Sequence, residues 1–403
     1  MKQLALALAL TFSITTHAQV TVEESRLEQA MKNIPARIMN RHDAEVSALR
    51  EALIRATSPS QAIQISTEHG RRLWQQSTQH NQRTEEYEDR SLYWSRLNAT
   101  ALMRDLPLRF EADTTFRQSL IDRFEWSSRG MDDIRFQPGY KRILITGFDP
   151  FLLDRRIDQA NPSGVAAQML DGMVVELGKQ RAQIEAVIFP VRFADFDSGI
   201  VERFLAPYLQ APEVDMVVTL SMGREGFDLE HFPGRRRSAK APDNLNITLG
   251  TSLQRPLPPR AGDHELEGPE FVEFSLPVMP MLTVQTPYLV RDNRKVLTLQ
   301  GEQSPSNLDE LKGQTAVEGS GGGYLSNEIS YRSLLLRQQL GSNIPMGHLH
   351  TPAIQHYKRD ELKKIVQQIE KILQNASQTL TPAQLKHVSP SPDKPHWYER
   401  RDK

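Results

Sequence analysis

Cysteine is absent from this sequence of 403 residues. The chain therefore cannot form a disulfide, a thiolate zinc site or a cysteine nucleophile. It also lacks an excess of charge, because 49 lysine and arginine residues face 50 aspartate and glutamate residues, for a formal net charge of −1. General nucleic-acid binding needs a basic excess that neutralises phosphates, so no nucleic-acid partner is expected.

Long apolar runs are lacking after the N-terminus. One run, residues 4–14, follows Lys2 and precedes Thr16-His17-Ala18. A positive charge, a short apolar stretch and small residues, in that order, are typical of a secretory signal. A membrane anchor is the competing interpretation, but the run is shorter than the roughly 20 apolar residues of a spanning helix. We predict a signal peptide at residues 1–18 and an exported chain, periplasmic or secreted, without stable membrane insertion.

Residues 19–140 are polar and have the periodicity of helices. Apolar residues recur at helical spacing in three stretches: Leu27, Met31, Ile34 and Ile38; Val46, Leu49 and Leu53; and Leu92, Tyr93, Trp94 and Leu97. Aromatic residues at this spacing usually serve burial. We therefore expect a helical extension packed on the main domain, or a helical accessory domain. A ligand-binding module is the alternative.

From residue 141 the pattern changes to short β-branched runs, each followed by a loop and a helical stretch. Strands are predicted at residues 143–146, 186–189 and 216–220. Strands that alternate with helices indicate an α/β fold with a mostly parallel, twisted sheet and helices on both faces. We place this domain at residues 141–380, with an insertion at about 250–315 and a packing helix at 357–375. Residues 381–403 are predicted to form a flexible tail.

Four groups of loop residues, on loops after predicted strands, contain residue types suited to catalysis. They contain Gly147-Phe148-Asp149-Pro150-Phe151 with Asn161-Pro162-Ser163; Gly223-Arg224 with Glu230 and Pro242-Asp243-Asn244; Gly321-Gly322-Gly323-Tyr324-Leu325-Ser326-Asn327; and Gly347-His348-Leu349-His350-Thr351-Pro352. A serine becomes a nucleophile when a histidine removes its proton and an acidic group orients that histidine. Glycines let backbone amides approach a developing oxyanion. Taken singly, each of these residues also has a purely structural interpretation. The serine before Asn327 is then a helix cap, the histidine a hydrogen-bonded polar residue, and the glycines 321–323 a flexible turn.

Together the loops resemble the pyroglutamyl peptidase I family, the cysteine exopeptidases that remove an N-terminal pyroglutamyl residue. The first group is similar to that family's GFEPF and NPS segments, and the second to its GR, ER and PDN segments. The third is similar to its GTYVCN nucleophile motif and the fourth to its GFIHVP motif. The blocks occur in the family's order and span residues 141–375. The resemblance implies an α/β peptidase-like hydrolase, and no cofactor is expected.

By position, the resemblance implies that Glu230 and His350 are the catalytic acid and histidine, and that Ser326 occupies the place of the nucleophilic cysteine. Phe148 and Phe151 match the aromatic residues that enclose the pyrrolidone ring. The remaining expected substrate contacts are Asn161, Gly223, Arg224, Lys240, Gly322 and Tyr324. The chain departs from the family at three positions, because Ser326 replaces cysteine while His231 and Lys240 each replace an arginine.

The change from cysteine to serine leaves two hypotheses open. An alcohol has no accessible anion at neutral pH, so Ser326 needs concerted proton removal and a well-placed oxyanion site. The first hypothesis is an exported peptidase that acts on an N-terminal pyroglutamyl or related residue, and the retained Glu230 and His350 favour it. The second is a non-catalytic binding protein that keeps the Phe148 and Phe151 pocket and uses its N-terminal helices to engage a partner. The lost cysteine and arginines favour the second.

No metal site is predicted. His348 and His350 alternate on a predicted strand, and we expect them to point to opposite faces, which argues against joint chelation. His231 and the run Arg235-Arg236-Arg237 are predicted to form a solvated basic loop, with contact to an acidic ligand as the alternative. The expected partner is a peptide substrate or ligand, and a homo-oligomer is left open.

Overall fold

The computed structural model describes residues 20–211 and 213–380. The predicted signal peptide and the predicted flexible tail lie outside these residues. Within them, no helix combines the length and apolar character that a membrane span requires.

Seven helices precede the first strand in the described chain. They are α1 (Val22–Ser25), α2 (Leu27–Asn33), α3 (Ala36–Met39), α4 (Asp43–Arg55), α5 (Pro59–Thr84), α6 (Arg90–Asp105) and α7 (Thr114–Ser127). Side-chain caps set several of their starts: Ser58 accepts from Gln61 N before α5, and Asp113 accepts from Phe116 N before α7. The helical N-terminal region is thus confirmed.

The first predicted apolar stripe is wrong at one position. Leu27, Ile34 and Ile38 are buried, but Met31 is 61% exposed. Helix α2 ends at Asn33, ahead of Pro35, and this short helix buries Ala30 beside Leu27 instead of Met31. The second stripe, over Val46, Leu49 and Leu53, is buried as expected.

The second region alternates strands and helices. Its elements are β1 (Lys141–Phe148), α8 (Pro162–Leu170), β2 (Val174–Leu177), β3 (Gln180–Phe189), α9 (Phe193–Asp197), α10 (Ile200–Gln210), β4 (Met216–Met222), β5 (Phe227–Glu230), β6 (Arg260–Ala261), β7 (His264–Glu265), α11 (Val278–Met281), β8 (Val290–Asn293), β9 (Val296–Thr298), β10 (Gly301–Gln303), a 3-10 turn (Leu308–Leu311), β11 (Ala316–Glu318), α12 (Leu325–Gln339), β12 (Met346–Thr351) and α13 (Arg359–Gln378). The predicted strands at 143–146, 186–189 and 216–220 correspond to β1, β3 and β4.

The central sheet has seven strands in the order β2-β3-β1-β4-β12-β5-β8. Neighbours are parallel except for β2 with β3 and β5 with β12. The α/β fold with a mostly parallel sheet is therefore confirmed. The polar insertion contributes more than a loop, because β8 adds an edge strand to this sheet and β9, β10 and β11 form a small sheet of their own.

Helices cover both faces of the sheet. Ile143 and Ile145 of β1 pack in one core with α8, α13 and the N-terminal helices α4 to α7. Leu144, between them, packs in the other core with α10 and α12, because successive strand residues point to opposite faces. The packing helix predicted at residues 357–375 is α13, and its apolar residues from Leu362 to Leu373 are buried.

Candidate active site

A row of polar side chains crosses one face of the sheet. Thr146 of β1 pairs with Thr219 of β4, and Thr219 pairs with His348 of β12. The register of β12 with β5 places Glu230 opposite His348, and Glu230 pairs in turn with Asn293 of β8. Side chains paired across strands share a face. This face also carries Leu144, Val217 and Met346, which pack with α12, so the polar row and the helix that begins at Leu325 lie on the same side of the sheet.

Glu230 and His350 form a buried hydrogen-bonded pair. His350 Nδ1 lies 2.5 Å from Glu230 Oε1, and the two residues are 9% and 1% exposed. Asn293 Nδ2 donates to Glu230 Oε2 at 2.9 Å and to the Ser320 carbonyl at 2.9 Å. Burial raises the pKa of the Glu230 carboxyl, and its contacts with His350 and Asn293 oppose that rise. Glu230 thereby fixes Nδ1 of the histidine and leaves Nε2 to face a substrate or nucleophile.

Gly223 is required by the close approach of β4 to His350. A Cβ on Gly223 would lie 2.7 Å from His350 Cβ and 2.9 Å from its Cγ. The glycine N–H donates to the Thr351 carbonyl at 2.8 Å, which fixes this approach. The neighbouring Arg224 has an exposed side chain, and its carbonyl accepts from Ala353 N.

Ser326 is the second residue of α12, directly after the glycine loop 321–323. Its Oγ donates to the Gly321 carbonyl at 3.3 Å, and no hydrogen bond joins it to His350 in the described part of the chain. Gly322 has a φ of +83°, which favours glycine, and the loop closes through Gly319 N to Gly322 O at 3.0 Å. Because Ser320 accepts from Asn293, this loop is tied to the Glu230 and His350 pair.

The residues expected around the pyrrolidone ring are mostly buried. Phe148 is 3% exposed and its ring stacks on Phe196, with centroids 6.1 Å apart. Phe151 is half-buried against the same core. Asn161 caps α8 by accepting from Ser163 N, and its Nδ2 donates to the Asp149 carbonyl at 2.9 Å. The amide of Asn161 is therefore engaged in structure, whereas Phe151 keeps an accessible surface.

Two further expected contacts are Tyr324, the residue before α12, and Lys240, on the loop that leads to Pro242. The Tyr324 hydroxyl donates to the Pro242 carbonyl at 2.8 Å, and its ring meets Phe193 edge to face with centroids 5.6 Å apart. Lys240 is exposed. Gly323, next to Tyr324, permits close packing against Ser238, because a Cβ on this glycine would lie 1.9 Å from Ser238 Oγ.

The expectation of a solvated basic loop is wrong. Arg237 is 4% exposed and donates to Glu328 and Asp197, while Arg235 and Arg236 both bind Glu270. His231 is buried, with Nδ1 2.8 Å from Asp292 Oδ1. The acidic partners come from distant parts of the chain, which local sequence does not reveal.

The expected opposite orientation of His348 and His350 is also wrong. Residues two apart on a strand share a face, and the two imidazole rings meet edge to face with centroids 4.8 Å apart. His348 Nδ1 lies 2.8 Å from Thr219 Oγ1, and its Nε2 lies 2.7 Å from Ser221 Oγ. Both ring nitrogens are therefore occupied. Among residues 20–211 and 213–380, no cluster of His, Asp and Glu side chains is arranged to hold a metal ion.

His348 should make stability depend on pH. Burial, with the neighbouring His350, holds the pKa of His348 well below 6.5. The unfolded chain then binds a proton that the native state does not, so the free energy of unfolding falls as pH drops below about 6.5. We expect His348→Gln to reduce this slope by up to about 1.4 kcal/mol per pH unit between about pH 5 and 6.5. Urea unfolding at several pH values measures the slope, and an equal slope in both proteins would contradict the assignment.

A cavity of about 430 Å³ lies elsewhere, lined in part by Phe136, Tyr140, Tyr208 and Arg142. Arg142 is near the start of β1, whereas His350 lies near the end of the parallel strand β12. The cavity is therefore at the opposite end of the sheet from the candidate site.

Asn293 was not predicted as a site residue from the sequence, and His348 was given no role. Asn293 ends a four-residue strand inside a polar insertion, so neither length nor periodicity marked it as part of the central sheet. A signal for His348 did exist, because it lies two residues before His350 on a predicted strand, which places both on one face.

Both parts of the chain match known family models. Residues 7–125 match the PA0049 N-terminal domain, and residues 142–261 and 286–355 match the PA0049 C-terminal domain. The chain is similar to PA0049 over both domains. PA0049 itself, from Pseudomonas aeruginosa strain PAO1 and described as an uncharacterized protein, is 27% identical over 395 residues, covering 75% of this chain and 71% of PA0049.

Among solved structures, similar chains include pyrrolidone carboxyl peptidases from Pyrococcus furiosus. A mutant of that enzyme has a TM-score of 0.42 and 18% identity, covering 59% of this chain and 99% of its own. A structure from the study of that enzyme and its cysteine-free mutant has a TM-score of 0.41 and 18% identity, covering 59% and 98%.

Proposed function

We propose that this chain is an exported peptidase-like hydrolase that removes an N-terminal pyroglutamyl or related residue from peptides. Ser326 is the nucleophile, His350 the general base and then acid, and Glu230 the group that orients the histidine. The resemblance of the four loop groups supplies the substrate class. Export rests on the predicted signal peptide alone.

The buried pair of Glu230 and His350 is the observation that carries this proposal. Burying two ionisable groups is costly unless each is well paired, and this pair lies in the row of polar side chains on the sheet, beside Gly223. Asn293 adds a second hydrogen bond to Glu230, so the carboxylate is held at both oxygens. Such a preorganised acid and histidine are typical of a site that moves protons.

The reaction proceeds by acyl transfer. Ser326 Oγ turns from the Gly321 carbonyl, loses its proton to His350 Nε2 and attacks the carbonyl carbon of the pyroglutamyl amide. The carbon–nitrogen bond then breaks as His350 returns the proton to the leaving amine, which leaves a pyroglutamyl ester on Ser326. A water molecule then gives a proton to His350 and attacks this ester. The bond between the acyl carbon and Ser326 Oγ breaks, pyroglutamate is released, and His350 returns the proton to Ser326 Oγ.

The start of α12 supplies the oxyanion donors in this scheme. Its N-cap residue, Tyr324, makes no side-chain cap within the described chain, and the first intrahelical bond runs from Glu328 N to Tyr324 O. The backbone N–H groups of Leu325, Ser326 and Asn327 are therefore among those that a helix leaves without an intrahelical acceptor. They lie next to the serine, where negative charge develops.

A non-catalytic binding protein is the second candidate. The hydrogen bond of Ser326 to the Gly321 carbonyl, instead of to His350, favours it. In this alternative the loops around Phe151 hold a pyroglutamyl peptide without cleaving it.

Hydrolysis of a fluorogenic pyroglutamyl amide by the purified protein separates the two candidates. We expect turnover by the wild-type chain, none above background in Ser326→Ala, and full turnover in Ser330→Ala, a matched substitution four residues further along α12. Turnover that survives in Ser326→Ala rules out this serine as the nucleophile. An inert wild-type protein whose melting temperature rises with a pyroglutamyl peptide supports the binding candidate.

A further inference from the structure

The N-terminal helices reach the loops that carry the candidate substrate contacts. Arg96 of α6 donates through Nη1 to both oxygens of Asp149, at 2.9 and 3.0 Å. Arg129, just after α7, donates to Asp149 Oδ2 at 2.6 Å. Asp149 lies between Phe148 and Phe151 on the loop after β1. Both guanidinium groups and the carboxylate are buried, at 3% exposure or less.

Two other contacts join the N-terminal helices to the loops that carry the candidate substrate contacts. Asp89, the N-cap residue of α6, accepts from Asn161 N at 2.9 Å. Arg26 donates to the Asn244 carbonyl at 2.5 Å, and Asn244 Nδ2 donates to the Pro150 carbonyl at 2.9 Å. Every one of these contacts ends on a loop segment that carries a motif of the C-terminal region.

We propose that the N-terminal helical region completes the ligand site, with Arg96 and Arg129 acting as positioning residues that hold the loop of Phe148 to Phe151 through Asp149. The effect of this positioning on ligand binding rests on the proposed function. The region is then a fixed part of the site and not a separate module for an external partner.

The energetics of the buried ion pairs of Asp149 with Arg96 and Arg129 favour a positioning role over a stabilising one. A buried ion pair gains little net stability, because desolvation of both charges offsets their attraction. Nε and Nη2 of Arg96 and Nε of Arg129 also find no acceptor among the described residues. An unsatisfied buried donor is unfavourable, so packing strength alone does not explain two arginines at this place. What they do provide is two anchors for Asp149, one on α6 and one just after α7.

Hydrogen exchange on the full chain tests the positioning directly. In Arg96→Met we expect deuterium uptake over residues 148–161 to become at least several-fold faster than in the wild-type protein. Arg104→Met is the matched control: Arg104 lies on the same helix and pairs with buried Glu24, at 2.8 Å, but it does not contact these loops. Equal uptake over 148–161 in the two variants would overturn the proposal. If Arg96→Met fails to fold, Arg96→Lys, which keeps the charge on a shorter side chain, takes its place.

Kinetics on the same proteins test the consequence for the ligand. With a fluorogenic pyroglutamyl amide, Arg96→Met should raise KM about tenfold, equivalent to about 1.4 kcal/mol of binding free energy, and change kcat by less than about threefold. An unchanged KM together with faster exchange would overturn the ligand-positioning role. If the wild-type protein neither cleaves nor binds pyroglutamyl peptides, the proposed function fails, and the exchange comparison still decides whether the helices hold the loop.

Discussion

Replacement of His350 with alanine is expected to lower kcat/KM for a pyroglutamyl amide by about 10³-fold or more. The serine hydroxyl depends on this base for proton removal, and groups of this kind act as a unit. The double variant Ser326→Ala/His350→Ala should therefore be no slower than either single variant. Steady-state rates of the three variants measure the effect.

His356 offers a control for this loss. It also pairs with a carboxylate, Asp158, at 2.8 Å, but its side chain is 54% exposed and makes no hydrogen bond with Glu230, His350 or Ser326. His356→Ala should keep the wild-type rate. Losses in the single variants that multiply in the double variant would show that Ser326 and His350 act independently, against the proposed mechanism.

The largest expected loss of stability follows from removing Arg332. This arginine of α12 is fully buried and binds Glu328 at 2.7 Å and Glu202 at 2.8 Å. Without this guanidinium, the carboxylate of Glu202 stays buried with no cation beside it among the described residues, and Glu328 keeps only its pairing with Arg237. We expect Arg332→Met to lower the free energy of unfolding by about 3–5 kcal/mol.

Arg181→Met provides the comparison for a pair at the surface. Arg181 binds Glu176 at 3.0 Å, and the two side chains are 54% and 64% exposed, so its removal should cost only a small fraction of the loss in Arg332→Met. Denaturant unfolding of both variants gives the two values. Similar losses would mean that burial does not govern the strength of these pairs.

The sequence was informative about the fold where periodicity was regular. β1, β3 and β4 are apolar, β-branched and flanked by loops, and α13 has an apolar stripe over about three turns, so each was predictable from its own residues. The strands of the insertion were not predictable in this way, because β8 has only four residues, two of them charged, and its pairing with β5 depends on tertiary packing. Met31 shows the same limit, since its exposure follows from how a seven-residue helix packs.

The candidate site was predictable in part for a similar reason. Glu230 and His350 could be proposed from their motifs, and the structure brings them into contact. The side chains that hold the site in place could not be proposed. Asn293 binds Glu230, and Arg96 and Arg129 bind Asp149, but all three come from segments distant in sequence and outside the recognised motifs. Arg96 follows Leu92, Tyr93 and Trp94, where an arginine in an aromatic cluster reads as a solvated residue until its buried partner Asp149 is known.

The most direct measurement is the capture of the acyl intermediate. The protein is mixed with an activated pyroglutamyl ester, quenched in acid at short times, and its intact mass and peptides are analysed. We expect a mass increase of one pyroglutamyl group, located on the peptide that contains Ser326 and absent in Ser326→Ala. An adduct on a different residue, or ester turnover that leaves Ser326 unmodified at every quench time, would contradict the assignment of Ser326 as the nucleophile.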